Sequence, residues 1–110
     1  MSPAQSYTIL NVDDDEIGRY AITRILRGAG FKVLEASTGA EALRVAHEHP
    51  DLIILDVRLP DINGFEVCRR LKADRSTQII PVLHLSATYQ DSHSRVHGLD
   101  GGADAYLTQP

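Results

Sequence analysis

The chain has little cysteine, no long hydrophobic run and no cluster of positive charge. Cys68 is the single cysteine among 110 residues and cannot form an intramolecular disulfide, which fits a reducing compartment. No apolar stretch approaches the roughly 18 residues of a membrane-spanning helix. The start of the sequence, MSPAQSYT, lacks the basic and hydrophobic parts of a signal peptide. These absences predict a cytoplasmic protein.

Basic residues do not gather anywhere in the sequence. The net charge is −4, and the longest run of lysine or arginine is the pair Arg69-Arg70. We therefore expect no direct contact with nucleic acid or membrane, and any DNA binding would need another domain. An apolar fraction of 43% and a charged fraction of 24% are typical of a globular protein. The length suits a single compact domain over residues 1–110.

Short apolar runs alternate with segments of helical periodicity. The first run stops at three aspartates, and the continuously apolar run LIIL predicts a central strand buried on both faces and ending on Asp56. The predicted strands cover residues 7–12, 31–36, 52–55, 79–85 and 105–107.

Four helices are predicted between the strands. The first begins at Glu16, and Gly28 and Gly30 mark its end. Thr38 with Glu41 forms a capping box for a second helix that reaches about His47. The apolar residues of the first helix form a stripe at Ile17, Ala21, Ile22, Ile25, Leu26 and Ala29.

The other two helices follow the central strand and the fourth strand. Asn63 can cap the third helix, whose inner face carries Phe65, Cys68 and Leu71. Asp91 or Ser92 can cap the fourth, which reaches about Asp100. This alternation predicts an α/β fold, a doubly wound parallel sheet with helices on both faces.

Polar side chains follow three of the predicted strands, at the edge where such sheets bind ligands. Asp13 and Asp14 follow the first strand, Asp56 the third and Ser86 the fourth. Three neighbouring carboxylates repel each other unless a cation intervenes. Hard oxygen ligands, without a Cys or His cluster of suitable spacing, favour Mg²⁺ over Zn²⁺. Beside such an ion Asp56 can act as a nucleophile toward phosphorus, and the Ser86 hydroxyl can donate a hydrogen bond to a phosphoryl oxygen.

The sequence resembles the receiver domains of bacterial response regulators and hybrid histidine kinases along nearly its whole length. The likeness lies in the segments ILNVDDDE (9–16), PDLIILDVRLPDINGFEVCRRLK (50–72), PVLHLSA (81–87) and GADAYLTQP (102–110). In outline the chain is similar to the N-terminal receiver of a larger hybrid kinase or regulator.

The resemblance implies a flavodoxin-like five-stranded sheet of order 2-1-3-4-5 and a role for each matching residue. Asp13 and Asp14 would be the acidic pair, Asp56 the phosphoacceptor and the Arg58 backbone carbonyl a further Mg²⁺ ligand. Ser86 would sense the phosphate, and Tyr106 would be the aromatic switch on strand five. The implied partners are a histidine kinase or phosphotransfer domain and an output domain in the parent chain.

Two features depart from the family pattern. Gln109 stands where receivers usually have a lysine, so the pocket loses its expected cation. The fifth helix, which normally follows the final proline, is absent from this sequence. We therefore expect either a longer parent chain that supplies the helix, or a homodimer through a sheet face exposed at Ile9, Leu10, Ile53 and Ile54.

Some single residues fit a structural role better than a functional one. Asp15 fits a helix cap, His84 a packed strand residue and Cys68 a core position. For the whole chain, a pseudo-receiver that is not phosphorylated remains an alternative, and Gln109 favours it. A phosphohydrolase is disfavoured because Asp56-Val57-Arg58 offers no second aspartate, and a flavin module because the first loop is acidic.

Overall fold

The computed structural model describes residues 7–86 and 103–108, and no helix within these ranges is long and apolar enough to cross a bilayer. Strands and helices alternate along the chain. The five strands are β1 (Thr8–Val12), β2 (Lys32–Ala36), β3 (Leu52–Asp56), β4 (Val82–Ser86) and β5 (Ala105–Thr108). The helices of the described part are α1 (Glu16–Gly28), α2 (Gly39–Val45, followed by a 3₁₀ turn, Ala46–Glu48) and α3 (Gly64–Ala73).

All neighbouring strands are parallel, in the order β2-β1-β3-β4-β5. The predicted order is therefore confirmed. The chain runs outward from β1 to β2 and then returns past β1 to β3, so the strand order reverses between β1 and β3. In an open parallel sheet, this reversal leaves a crevice at the carboxyl ends of the two strands.

The two faces of the sheet are covered differently. On one face, a core cluster joins Leu10 and Ile53 to residues of α2 and α3, including Ala42 and Leu71. On the other face, α1 packs against β1, and the buried Asn11 donates hydrogen bonds to the backbone carbonyl of Arg19 and the hydroxyl of Thr23, both at 3.1 Å. Ile53, Ile54 and Leu55 are buried, which confirms β3 as a central strand.

The caps predicted for the three described helices form, and the cap predicted at Asp91 or Ser92 lies outside the described residues. Asp15 accepts a hydrogen bond from the Gly18 N–H at the start of α1, and Asn63 accepts one from the Phe65 N–H at the start of α3. Thr38 accepts from the Glu41 N–H, as in the predicted capping box, but Glu41 accepts from the Ser37 N–H at 2.8 Å, one residue before the cap.

Some predictions about exposure and boundaries were wrong. The fourth strand begins at Val82, three residues later than expected, because residues 74–80 form hydrogen-bonded turns; Ile79 is 86% exposed. On α1, Ile17 and Ile25 are exposed, whereas Ile22 and Leu26 are half-buried, and the buried side chain of the helix is Thr23.

The sheet residues expected to form an exposed face are buried. Leu10 and Ile53 lie in the core cluster with α2 and α3, and Ile9 and Ile54, on the opposite face, retain only 4% and 7% of their exposure. The fourth predicted helix, residues 91–100, lies outside the described residues.

Candidate functional site

Three carboxylates meet where β1 and β3 end. Asp13 and Asp14 follow β1, Asp56 is the last residue of β3, and one oxygen from each lies within 4.8 Å of the others. Asp13 and Asp56 are half-buried and Asp14 is exposed. No other group of three potential metal ligands occurs in the ranges that the structure describes. The strand ends thus bring together the three carboxylates selected from the sequence.

The backbone of Asp13 is held from two sides. Its N–H donates to the Ala36 carbonyl at the end of β2 at 3.0 Å, and its carbonyl accepts from Arg19 Nη1 at 2.9 Å. The carboxylate accepts in addition, through Oδ1, a hydrogen bond from the Asp15 N–H at 2.9 Å. Asp13 is therefore fixed by β2, by α1 and by its own loop.

The turn that follows Asp56 fixes the position of its carboxylate and of its backbone. The Arg58 N–H donates to Asp56 Oδ1 at 3.1 Å, and the Gly64 N–H donates to the Val57 carbonyl at 2.8 Å. A Cβ at position 64 would lie 2.3 Å from the Asp56 carbonyl oxygen, so only glycine allows α3 to start this close to β3.

Burial and mutual repulsion make it unfavourable for all three carboxylates of the site to be ionised at once. Burial, followed by the charge of Asp13, raises the pKa of Asp56 to about 6, although the Arg58 N–H partly offsets this. Burial also raises the pKa of Asp13, offset in part by the hydrogen bond from the Asp15 N–H. A bound cation would relieve this repulsion. The donor set consists only of hard carboxylate oxygens, which fits a cation such as Mg²⁺.

Asp61 links two segments around the site, a role that was not predicted from the sequence. This carboxylate accepts hydrogen bonds from the Gly39 N–H at 2.7 Å and the Ala40 N–H at 2.9 Å, at the start of α2. These backbone hydrogen bonds lower the pKa of Asp61. They connect the loop after Asp56 to α2, and no local pattern announces a contact between residues so far apart in sequence.

The other predicted site residues are placed only in part. Residue 58 lies against Asp56 through its N–H, and the role of its carbonyl as a metal ligand stays a prediction. The backbone of Ser86 ends β4, directly after Leu85, which pairs with Asp56, and Tyr106 pairs with His84. The side chains of Ser86 and Tyr106, and all of Gln109, lie outside the described part.

His84 and Cys68 are packed inside the protein, as expected. The His84 ring is buried, lies edge-on to Phe65 with 5.1 Å between centroids, and has Nδ1 3.3 Å from the Leu55 carbonyl oxygen. Burial lowers the pKa of His84 and raises that of the Cys68 thiol to about 11. A thiol of that pKa remains protonated and unreactive at neutral pH.

The fold and site define a class: a doubly wound α/β domain with an acidic centre at the point where the strand order reverses. The family model described as "Response regulator receiver domain" matches residues 9–110. The chain therefore belongs to the response regulator receiver family of two-component signalling systems.

Known relatives support this assignment. The response regulator MprA of Mycobacterium leprae is 46% identical over 104 residues, covering 93% of this chain and 44% of that protein. The "DNA-binding dual master transcriptional regulator RpaA" of Synechocystis is 43% identical over 103 residues, covering 93% of this chain and 42% of that protein. The chain thus spans less than half the length of these curated relatives.

Solved structures share the fold closely. A putative response regulator from Chloroflexus aurantiacus has a TM-score of 0.89 at 38% identity, with 94% of this chain and 85% of that chain covered. The receiver domain of a sensor histidine kinase from Pseudomonas aeruginosa, solved with a magnesium ion in its active site cleft, has a TM-score of 0.84 at 29% identity. That comparison covers 94% of this chain and 85% of the other.

Proposed function

We propose that this chain takes a phosphoryl group onto Asp56 from a histidine kinase or phosphotransfer domain in a Mg²⁺-dependent reaction. The observation that carries the proposal is the meeting of Asp13, Asp14 and Asp56, with ligand oxygens within 4.8 Å of one another. Asp56 ends the central strand and is the member whose pKa is raised to about 6.

Each residue has a separate role in the proposal. Asp13, Asp14, Asp56 and the Arg58 carbonyl would hold Mg²⁺, which would supply positive charge for the transferring group. The Arg58 N–H orients the Asp56 carboxylate through Oδ1. An oxygen of ionised Asp56 forms a bond to phosphorus as the bond to the donor histidine nitrogen breaks, giving an acyl phosphate and a free imidazole.

Phosphorylation of Asp56 would change the conformation of the protein surface that contacts its partners. Ser86 and Tyr106, on β4 and β5, would transmit phosphorylation to an output domain of a longer parent protein. Support for such an output comes from MprA and RpaA, both named as regulators, of which this chain covers less than half.

Intact-mass spectrometry after incubation with Mg²⁺ and acetyl phosphate tests the proposal. The wild type should gain one phosphoryl group, and Asp56→Asn should gain none. Asp51→Asn, directly before the first residue of the same strand, is the matched control and should be phosphorylated like the wild type. Equal modification of the Asp56→Asn variant would show that the phosphoacceptor lies elsewhere.

A further inference from the structure

Arg19 links three segments around the acidic site. Its Nη1 donates to the Asp13 carbonyl at 2.9 Å, and its Nε donates to Glu35 Oε1 at 2.8 Å, on β2. Its own carbonyl accepts a hydrogen bond from Asn11 on β1, and its N–H donates to the Asp15 carbonyl at 2.8 Å. The guanidinium is thus fixed at both ends between the β1 loop and β2.

The contact with Asp13 leaves its carboxylate available. Arg19 binds the main-chain carbonyl of Asp13, whereas the Asp13 carboxylate accepts a hydrogen bond from the Asp15 N–H. The first turn of α1 confines the same carboxylate, because a Cβ on Gly18 would lie 3.0 Å from Asp13 Oδ2. The Arg19 guanidinium therefore fixes the backbone of Asp13 without contacting a carboxylate oxygen that could bind a metal.

We propose that Arg19 is a positioning residue that holds Asp13 in the orientation required for cation binding, with Glu35 holding Arg19 in turn. The inference rests on the proposed metal site. Arg19 is paired with Glu35, and its side chain is only 20% exposed, so its charge is largely balanced locally. Loss of Arg19 should therefore act on the site mainly through geometry.

Geometry and charge predict opposite effects on metal binding. If charge dominated, removing Arg19 would make the site more negative and strengthen Mg²⁺ binding. If position dominates, Arg19→Ala should weaken Mg²⁺ binding by about 10–100-fold, the usual effect of losing a residue that orients a metal ligand. The double variant Arg19→Ala/Glu35→Ala restores the net charge without the contact, and its binding should stay weak.

Calorimetric Mg²⁺ titration of the 110-residue chain compares these variants. Arg24→Ala is the matched control, because it removes the same charge from an exposed position on the same helix, and it should bind like the wild type. Arg19→Lys, which keeps the charge and one donor group, should lie between the wild type and Arg19→Ala. If Arg19→Ala fails to fold, Arg19→Lys provides the comparison, because it keeps the charge and alters only the contacts with Asp13 and Glu35.

Amide hydrogen exchange in EDTA provides a readout that needs no metal. The Asp15 N–H, bonded to Asp13 Oδ1, should lose protection in Arg19→Ala and keep it in Arg24→Ala. Unchanged protection together with equal Mg²⁺ affinity in the two variants would overturn the inference. A wild type that binds no Mg²⁺ would instead contradict the proposed function, and the Asp15 exchange would then decide whether Arg19 positions Asp13.

Discussion

Gly64 lies so close to the end of β3 that a Cβ on it would sit 2.3 Å from the carbonyl oxygen of Asp56. Such a contact cannot be relieved by turning a side chain, because the opposing atom belongs to the backbone. The start of α3 and the position of Asp56 are therefore coupled through the missing side chain of one glycine.

Gly64→Ala should consequently damage both the fold and the site. We expect the free energy of unfolding to fall by about 1–3 kcal/mol or more, the range for overpacked positions, and Mg²⁺ binding to weaken as the backbone of Asp56 shifts. Urea unfolding and calorimetry measure the two effects. Gly28→Ala is the control, since a Cβ there meets nothing within 4 Å; it should be neutral or slightly stabilising.

Asp56→Asn should stabilise the metal-free protein at neutral pH. Folding raises the pKa of Asp56 from 3.8 to about 6, so the folded protein favours the protonated carboxyl group. The resulting contribution to folding stability is fully present below pH 3.8 and is lost as the pH rises through 6. Because the carboxyl group remains partly solvated, the gain at pH 7 should be about 1–2 kcal/mol. Thermal unfolding in EDTA should show that the stability difference between Asp56→Asn and the wild type becomes smaller from pH 7 to pH 4. An identical difference at pH 7 and pH 4 would contradict this explanation.

His84 should make the protein sensitive to mild acid. Burial lowers its folded pKa below 6.5, so the unfolded chain binds more protons and stability falls as the pH drops below about 6.5. His84→Gln should lower stability at pH 7 but remove this part of the acid response. The control is His49→Asn, at an exposed position with φ of 60° that asparagine tolerates. Parallel pH dependences of the wild type and His84→Gln would exclude His84 as the source.

Gln109→Lys should increase the yield or the lifetime of the acyl phosphate. A lysine would supply the positive charge that the glutamine amide lacks, and this charge would stabilise the phosphoryl oxygens. The time course of Asp56 phosphorylation by acetyl phosphate, followed by mass spectrometry, measures both quantities. No change in either would mean that the charge at this position does not limit the chemistry.

The sequence predicted those features that depend on residues close together in the chain, such as strands, strand ends and helix caps. Apolar runs that end on aspartate predicted β1 and β3, and parallel strands place their carboxyl ends at one edge, so the meeting of Asp13 and Asp56 followed. The helix cap at Thr38 was equally local, because the hydrogen bonds of Thr38 and Glu41 span only a few residues.

The contacts that hold the site in place could not be predicted in this way. Asp61 reaches α2 across a sequence separation of 22 residues and Arg19 reaches Glu35 across 16, and surface residues of these types have many possible partners. The apolar stripe of α1 did not predict burial correctly, because Ile17 and Ile25 are exposed. Helical periodicity shows which residues share a face, but tertiary packing decides whether that face is covered.

The carboxylates of the site come from two strands, and α1, β2 and α2 lie between them in the chain. An unfolded chain does not hold such distant oxygens together, so a cation that binds there binds the native state alone. At a free concentration of 100 times its dissociation constant, such a ligand adds about 2.7 kcal/mol to folding stability. The concentration of a bound ion would thus enter the folding equilibrium, and it would set the fraction of unfolded chain that a protease can cleave.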